Sequence, residues 1–455
     1  MIFAVACDIL QSTIKVFFRL ILGGTIMRAA FYECNITPPL GENMPGYYKA
    51  NPAMDVFEEL YAKAVVVEDG GNYAAIVAID TCEVNPQFHE VITKRVNEYT
   101  GIDPASVCVH VVHTHKGAPT EHRPEVGQCY DPIYTDVCMR RAADAIILAY
   151  KRLQDGVEVS FGCGNVEGIS YNRNYVVEDG ELRTFGGGKK KVIRTLAGID
   201  PQLPILTFFK DGKPLGAIIS FACHQDCTGS KVNGYSADYS GILARELKNK
   251  YGSDFVSVFL IGTAGDINHV PNDPTVKLPP FWYREMGKIL AREAIRVIEG
   301  ELEPVGEGVG IRKEEIDLPV RTVDLETACR QIGKWAEHKS MMRMLNLAYY
   351  YTTNKVDSDL LWIQAIRIGK ACIYVMSGEI YVNFGLRIKK ESPFEFNFVV
   401  ENSNSFGGYI PTREAFAEGS DLYEISLCEG SRHAPEAGDM MVDRLLKMGA
   451  ELKEK

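Results

Sequence analysis

The amino-acid sequence predicts an α/β protein, a layered α/β/α domain with a mixed, largely parallel central sheet. Short, nearly continuous apolar runs recur along the chain, as expected of strands that are buried on both faces. Each run is followed by a loop and then by a segment with the 3.6-residue period of an amphipathic helix. Hydrophobic residues make up 46% of the 455 residues and charged residues 24%, a composition that excludes disorder, collagen and coiled coil.

The individual elements follow from these two patterns. The clearest apolar runs predict strands at residues 73–79, 107–112, 204–209, 215–221, 255–261 and 372–376. Helical periodicity predicts helices at residues 55–67, 86–98, 134–153, 239–250, 282–299 and 325–350. The segment 341–351 in the last helix is rich in Met, Leu and Tyr, which indicates either core packing or a substrate-facing cover.

Residues 27–455 are expected to form a single catalytic domain, since no internal repeat and no linker rich in Pro, Gly or Ser divides the chain. Residues 1–26 are interpreted as an N-terminal extension, with a possible upstream start codon. Their apolar stretch is interrupted by Gln11, Lys15 and Arg19, so neither a stable membrane span nor an export signal is favoured.

Charge and cysteine usage narrow the cellular setting. Lys and Arg number 49 against 60 Asp and Glu, so the formal net charge is −11. An acidic surface repels a phosphate backbone, which argues against nucleic acid as a partner. The 12 cysteines are dispersed without a repeated C-x-x-C spacing, which favours reduced thiols and a cytoplasmic location. The oligomeric state is left open by these observations.

Residues that can bind a metal lie just after three of the predicted strands. His113 and His115 follow the second strand, His224 the fourth and Glu379 the sixth. In open α/β sheets, ligands bind at the carboxyl ends of the strands. Alternation along a strand would place His113 and His115 on one face and His110 on the other, so His110 is interpreted as a core histidine. Zn²⁺ binds three or four such nitrogen and oxygen donors from separate segments.

Some neighbouring residues have competing interpretations. Glu379 precedes a stretch with helical spacing and can instead be a favourable partner of the helix dipole. Cys223 and Cys227 flank His224, but no two further thiolates are suitably spaced, so both are interpreted as packing residues. Asp266, which follows the fifth predicted strand, is expected to orient a ligand histidine through its second ring nitrogen.

Several short segments are weak signals singly, but their order and spacing are specific as a set: Ile36–Pro39, Met44–Tyr47, His113–His115, Tyr171–Arg173, Ala222–His224, Ala264–Asp266, Gly378–Glu379 and Gly408–Thr412. Over most of residues 28–430 this set resembles the neutral, non-lysosomal ceramidase family of zinc-dependent amidases. In that family the ligands are the first histidine of H-T-H, a histidine after a central strand, the glutamate of P-G-E and a tyrosine near the C-terminal end of the domain. The resemblance therefore implies Zn²⁺ bound by His113, His224, Glu379 and Tyr409.

The sequence also departs from the family pattern. The family turn G-D-V-S-P, whose serine matters for activity, has Asn268 at the serine position, and P-G-E begins with Ser377. The chain is expected to lack the C-terminal immunoglobulin-like domain of ceramidases. These departures leave an alternative, a metal-binding protein of the same fold that is an esterase or phosphoesterase or has no turnover.

The resemblance implies hydrolysis of a linear amide (N-acyl) bond by a metal-activated water. His115, beside the metal but not assigned as a ligand, is the expected general acid or base. Arg173 and the phenol of Tyr409 are expected to stabilise developing negative charge, although Arg173 can equally form a structural ion pair. The net charge of −11 favours a small or soluble N-acyl substrate over a membrane sphingolipid.

Overall fold

The computed structural model describes residues 27–47, 50–120, 130–184, 191–229, 232–271, 273, 275–322, 326, 329–330, 347–350, 352–353, 357–417, 420, 422–428 and 430–454. The proposed extension, residues 1–26, lies outside the described residues, so its interpretation and the single-domain assignment stay predictions. In this part of the chain, no helix is long and apolar enough to span a membrane.

Strands dominate the described chain and belong to three main sheets and several two- or three-stranded ribbons. In the first half they are β1 Arg28–Asn35, β2 Asp55–Val56, β3 Tyr61–Asp69, β4 Asn72–Ile79, β5 Val107–Val111, β6 Gln154–Asp155, β7 Glu158–Asn165, β8 Tyr171–Asn172, β9 Asn174–Val177, β10 Leu182–Thr184, β11 Val192–Thr195 and β12 Gln202–Lys210. In the second half they are β13 Lys213–Phe221, β14 Gly234–Tyr235, β15 Val256–Ile261, β16 Ile267–Asn268, β17 Glu303–Pro304, β18 Val309–Pro319, β19 Ser358–Ile368, β20 Ala371–Met376, β21 Glu379–Ile380, β22 Phe396–Val400 and β23 Tyr409–Ile410.

The helices cover the outer faces of these sheets. They are α1 Pro86–Thr100, α2 Pro132–Tyr150, α3 Asp238–Tyr251, α4 Trp282–Ile298, α5 Val382–Glu391 and α6 Ala437–Lys453. Local chemistry explains their ends. In α1, for example, the side chain of Asn85 accepts a hydrogen bond from Phe88 N, and Gly101 closes the helix in the left-handed conformation.

The predicted α/β class is confirmed, but the prediction of a largely parallel sheet is wrong. The main sheets have the orders β5-β4-β3-β1-β6, β15-β13-β12-β7-β17 and β18-β19-β20-β22. Within them only β4–β5, β13–β15 and β20–β22 pair in parallel. Long apolar runs indicated strands buried on both faces, which is typical of parallel sheets. Here antiparallel neighbours such as β12 and β13, joined by the tight turn Asp211–Gly212, are buried in the same way.

The predicted single sheet between two helical layers is also corrected, because two sheet layers lie between the helices. Alternate residues of β3 point to opposite sides: Val66 packs in the cluster formed with α1 and α2, and Val65 in the cluster formed with the second and third sheets. Helices α3 and α4 cover the other side of the second sheet, and α5 and α6 that of the third. The order of layers is therefore helix, sheet, sheet, helix.

All six predicted strands and four of the helices are observed with small shifts at their ends, namely the helices predicted at 86–98, 134–153, 239–250 and 282–299. The helix predicted at 55–67 is wrong, since β2 and β3 occupy this segment. Its valines Val65, Val66 and Val67 are β-branched and favour a strand. The helix predicted at 325–350, with the Met-rich segment 341–351, lies largely outside the described residues.

Candidate metal centre

Three side chains that follow strands of three different sheets bring their donor atoms together. His113 follows β5, His224 follows β13 and Glu379 follows β20. His113 Nε2 lies 3.0 Å from His224 Nε2 and 3.4 Å from Glu379 Oε2, and His224 Nε2 lies 3.1 Å from the same oxygen. All three residues are buried, so water cannot solvate these atoms freely.

The backbone around the two histidines determines which ring nitrogen faces the centre. His113 Nδ1 lies 2.9 Å from the carbonyl oxygen of Cys82, and His224 Nδ1 lies 2.9 Å from that of Ala264. A carbonyl can only accept, so each Nδ1 carries the proton and each neutral imidazole has its lone pair at Nε2. Two lone pairs and a carboxylate oxygen therefore converge, an arrangement that a cation stabilises.

The spacing of the three donor atoms suits a metal ion. Ligand atoms at about 2.0–2.1 Å from a tetrahedral zinc lie roughly 3.3–3.4 Å apart, close to the separations of 3.0–3.4 Å found here. Glu379 Oε2 is buried and accepts no hydrogen bond from the described residues. A carboxylate oxygen and two imidazole nitrogens fit zinc chemistry, so the residues present fit the implied cofactor.

The backbone conformation of the H-T-H segment differs from the prediction. Strand β5 ends at Val111, before His113, and His113 has φ 65°, a left-handed conformation that is strained for a non-glycine residue. The expectation that His113 and His115 share one strand face by alternation is therefore wrong. A local turn instead places their ring centroids 5.0 Å apart, with the ring planes at 89°.

Asp266 does not orient a ligand histidine, contrary to the prediction. Its carboxylate accepts hydrogen bonds from Asn172 Nδ2 at 2.7 Å and from Val382 N at 2.8 Å. It thereby joins the start of α5 to the β8 ribbon. The predicted orienting role falls instead to the carbonyl groups of Cys82 and Ala264.

Glu379 is held by its own backbone and by a second glutamate. Its N–H donates to Gly408 O at 2.7 Å, and Glu379 pairs with Tyr409 in the parallel ribbon β21–β23. The Glu401 carboxylate accepts hydrogen bonds from Ile380 N and Ala264 N, at 2.6 and 3.0 Å. Burial raises the pKa of Glu379, but its contacts with the imidazoles of His113 and His224 outweigh this effect and hold that pKa well below its usual range.

Tyr409 and Arg173 lie beside this centre and contact each other. Arg173 Nη2 donates to the Tyr409 hydroxyl at 3.2 Å and to Gly265 O at 2.7 Å, and Arg173 Nε donates to Glu424 at 2.7 Å. Arg173 and Glu424 are both buried. The structure thus contains the buried ion pair that was the alternative interpretation of Arg173, and this pair supports the contact with the Tyr409 hydroxyl.

His115 lies at the edge of the cluster with both ring nitrogens buried and without a partner among the described residues. Its ring centroid is 5.8 Å from that of His224. Burial lowers the pKa of His115 well below its usual range, and the neighbouring rings of His113 and His224 lower it further. The imidazole is therefore neutral at pH 7 and can accept a proton.

Sequence reasoning missed several residues of the site. Cys82 follows β4 and its Sγ lies 3.6 Å from His113 Nδ1, and Glu401 follows β22. Both occupy strand ends, the same signal that identified the histidines, but neither belongs to a segment that matched the family. The thiols of Cys223 and Cys227 pack in the core near the backbone of His224, as predicted.

Asn268, at the position of the family serine, is buried in the β8–β16 ribbon, where the preceding residue, Ile267, accepts a hydrogen bond from His224 N at 3.1 Å. Its Oδ1 accepts a hydrogen bond from Val270 N at 3.0 Å. This local hydrogen bond stabilises the turn after β16. An amide side chain is not a nucleophile, so the Asn268 side chain supplies no hydroxyl for chemistry.

Comparisons with known proteins identify the fold. The chain is similar to the crystal structure of neutral ceramidase from Pseudomonas aeruginosa, with a TM-score of 0.72 and 19% identity over 94% of this chain and 75% of that one. It is also similar to the structure of a ceramidase complexed with C2, with a TM-score of 0.74 and 18% identity over 94% and 76% of the two chains. No protein-family model and no curated protein sequence matches. The chain therefore has a neutral ceramidase-like fold, as the resemblance implied.

Proposed function

We propose that the protein is a zinc-dependent hydrolase that cleaves the amide bond of small N-acyl compounds. The observation that carries this proposal is the convergence of His113 Nε2, His224 Nε2 and Glu379 Oε2, all within 4.8 Å of one another in a buried setting. A catalytic zinc, unlike a purely structural one, keeps a coordination position open to water or substrate. The similarity to ceramidase structures supports amide hydrolysis over other metal chemistry.

The proposed ligands are His113, His224, Glu379 and Tyr409. Tyr409 is the neighbour of Glu379 in the β21–β23 ribbon, which gives its phenol access to the same centre. A bound zinc lowers the pKa of a coordinated water to about 7 and polarises a carbonyl oxygen. The carbonyl groups that accept from the two Nδ1–H groups keep both imidazoles in the tautomer that such binding requires.

His115 is the proposed acid or base. The neutral ring has a lone pair that can take a proton from the attacking water, and the lowered pKa favours release of that proton in the next step. The resulting imidazolium can then give that proton to the nitrogen of the departing amine. The neutral ring has no competing hydrogen bond among the described residues, so both ring nitrogens are available to the reacting groups.

Tyr409 is the proposed donor to the oxyanion of the tetrahedral intermediate. Arg173 donates to the Tyr409 hydroxyl, so the phenolic proton remains available to a substrate oxygen. Burial and the nearby Glu379 carboxylate raise the pKa of Tyr409 well above its usual range. The ion pair with Glu424 keeps the Arg173 guanidinium fixed, so that Tyr409 is held in place before substrate binds.

The proposal extends to substrate and location. The net charge of −11 gives no general attraction to an anionic membrane surface, which supports a soluble N-acyl substrate. Reduced thiols support a cytoplasmic location; no disulfide joins the cysteines among the described residues.

The test is elemental analysis of the purified protein together with a panel of acyl amides, acyl esters and phosphoesters. We expect about one zinc per chain and turnover of acyl amides. Turnover of esters alone would favour the esterase alternative. A protein with no zinc and no turnover of any substrate would contradict the proposal.

A further inference from the structure

None of the described residues forms a hydrogen bond with the His115 ring, yet a proton carrier must be oriented to within a fraction of an ångström. Within the described part of the chain, the residue's hydrogen bond is made by its backbone, where His115 N donates to Gln225 O at 3.0 Å. The ring itself is positioned by packing. Besides His113 and His224, the residues that pack against it are Gly46 and Tyr47. They belong to the segment Met44–Tyr47, which sequence reasoning singled out without assigning it a role.

Gly46 lies directly against the His115 ring. A Cβ atom at this position would lie 2.5 Å from His115 Nδ1 and 2.7 Å from Cγ, so any larger residue would displace the imidazole. Gly46 has φ 80°, which fits a glycine. Its segment is anchored to the chain that follows it by the hydrogen bond from Met44 N to Asn51 O at 3.0 Å. The backbone at Gly46 is thus held in place against the ring and limits where the imidazole can lie.

Tyr47 contacts the same ring edge-on, with centroids 5.6 Å apart and the planes at 81°. Two contacts hold Tyr47 in turn, one at its hydroxyl and one at its ring. Its hydroxyl donates to Asp226 Oδ1 at 2.8 Å, and Lys116 Nζ lies 4.9 Å from the centre of its ring. Lys116 is fully buried, and its ammonium donates to Val232 O at 2.7 Å.

We propose that Gly46 and Tyr47 are positioning residues that set the orientation of the His115 imidazole, with Asp226 holding Tyr47 through its hydroxyl. The proposal rests on the proposed function, because it gives His115 a task for which orientation matters. It assigns a role to the Met44–Tyr47 segment, which supplies no proposed metal ligand and no proposed proton donor or acceptor. The hydrogen bond from the Tyr47 hydroxyl to Asp226 is called the tether. The steric contact at Gly46 and this tether can be tested separately by substitution.

The steric part is tested with Gly46→Ala and the matched control Gly41→Ala. Both glycines have positive φ, 80° and 95°, so alanine strains the backbone at either position. Only Gly46 faces His115, since a Cβ at Gly41 would meet nothing within 4 Å. We expect Gly46→Ala to lose on the order of 100-fold in kcat with little change in KM and with zinc retained, and Gly41→Ala to keep wild-type turnover.

The tether is tested with Tyr47→Phe and Asp226→Asn. Tyr47→Phe removes the hydroxyl without adding bulk and should lower kcat by about 5-fold, the effect of one hydrogen bond. Asn still offers an oxygen to the Tyr47 hydroxyl, so Asp226→Asn should lose less than Asp226→Ala. Equal losses in those two variants would contradict the role of the tether.

Ring orientation is also read without turnover. The chain has nine histidines, so ¹³Cε1-labelled histidine gives a small set of NMR signals, and His115→Gln assigns the relevant one. We expect Gly46→Ala to shift this signal and Gly41→Ala to leave it in place. An unshifted signal with unchanged kcat in Gly46→Ala, or the same shift in both variants, would overturn the inference. Absence of any turnover in the wild type would instead contradict the proposed function. The NMR result would then decide whether Gly46 and Tyr47 orient the His115 ring.

Discussion

At the scale of single residues, His113 and His224 differ from the core histidine His110 in what their ring nitrogens contact. His110, for comparison, uses both ring nitrogens within the protein: Nδ1 lies 2.8 Å from Ser403 Oγ, and Nε2 accepts from Ile261 N at 2.9 Å. His113 and His224 use Nδ1 alone for this purpose and turn Nε2 towards each other. A buried nitrogen lone pair without a donor is costly, so these two residues need a ligand.

Removing either histidine should therefore remove most of the metal. In His113→Ala or His224→Ala an imidazole donor is lost that the remaining residues cannot replace, and we expect zinc content well below one per chain by elemental analysis. Cys227→Ala is the control, because this thiol packs in the core and should not be a ligand. Full zinc occupancy in both histidine variants would contradict the assignment.

His115→Ala should separate catalysis from metal binding. If the ring moves a proton and is not a ligand, zinc content stays at the wild-type level while turnover falls by about 10²- to 10⁴-fold. Zinc content and kcat are measured on the same preparation. Loss of metal would make His115 a third histidine ligand, and unchanged kcat would leave it without a catalytic role.

Sequence patterns predicted which side chains come together better than how they are held. The core role of His110 and the packing of Cys223 and Cys227 followed from residue type and spacing, because burial alone decides them. The orienting role given to Asp266 was wrong, since a backbone carbonyl such as that of Ala264 is present at every residue and leaves no mark in the sequence. The left-handed turn at His113 was missed for a similar reason.

At the scale of elements, apolar runs located the strands but not their partners. A run such as β13 is buried on both faces whether its neighbour is parallel, as β15 is, or antiparallel, as β12 is. Pairing direction depends on the connections, which periodicity does not report. The helix predicted at 55–67 was wrong for another reason, because the apolar spacing of this segment fitted a helical period while its valines favoured a strand.

The contact between α1 and the third sheet should make stability depend on pH. Lys313 of β18 lies with its Nζ beside His89 Nε2 of α1 and donates to Val107 O at 3.0 Å. Burial lowers the pKa of Lys313 to about 8, whereas an unfolded lysine titrates near 10.4. Between these values the unfolded chain binds more protons, so this residue's contribution to stability is smallest below pH 8 and grows as pH rises towards 10.4.

Replacing that lysine provides the measurement. Lys313→Met removes the buried charge, so the free energy of unfolding of this variant relative to wild type should be higher at pH 7.5 than at pH 10.5. The difference should change by about 2 to 3 kcal/mol over this interval. This difference in the free energy of unfolding is measured by urea unfolding of both proteins at several pH values. A difference that does not vary with pH would show that Lys313 has an ordinary pKa in the folded protein.

At the scale of the whole molecule, the acidic surface bears on substrate choice. With a net charge of −11, the protein gains nothing from an anionic membrane or micelle. We expect short-chain N-acyl amides to be hydrolysed with higher kcat/KM than long-chain ceramide in detergent. Parallel assays of the two substrates decide this, and a clear preference for long-chain ceramide would overturn it while leaving the metal assignment intact.

Removing the metal should loosen the whole fold. The proposed donors His113, His224 and Glu379 follow β5, β13 and β20, one strand from each main sheet. An ion bound by these donors would therefore link the three sheets. A ligand present at a thousand times its dissociation constant stabilises the folded state by about 4 kcal/mol. We expect a chelator to lower Tm of the wild type by several degrees and that of His113→Ala hardly at all. Equal effects on the two proteins would mean that the chelator acts elsewhere.

The separation of these three donors along the chain also has a consequence for folding order. His113 and His224 are 111 residues apart, and closing such a long loop costs entropy that only finished packing repays. No single sheet supplies more than one of the three donors, so a chain emerging from the ribosome has no tight site until the third sheet has docked. With the proposed ligands, ion capture is therefore expected to be the last step of assembly, and a partly folded chain is expected not to compete for the metal.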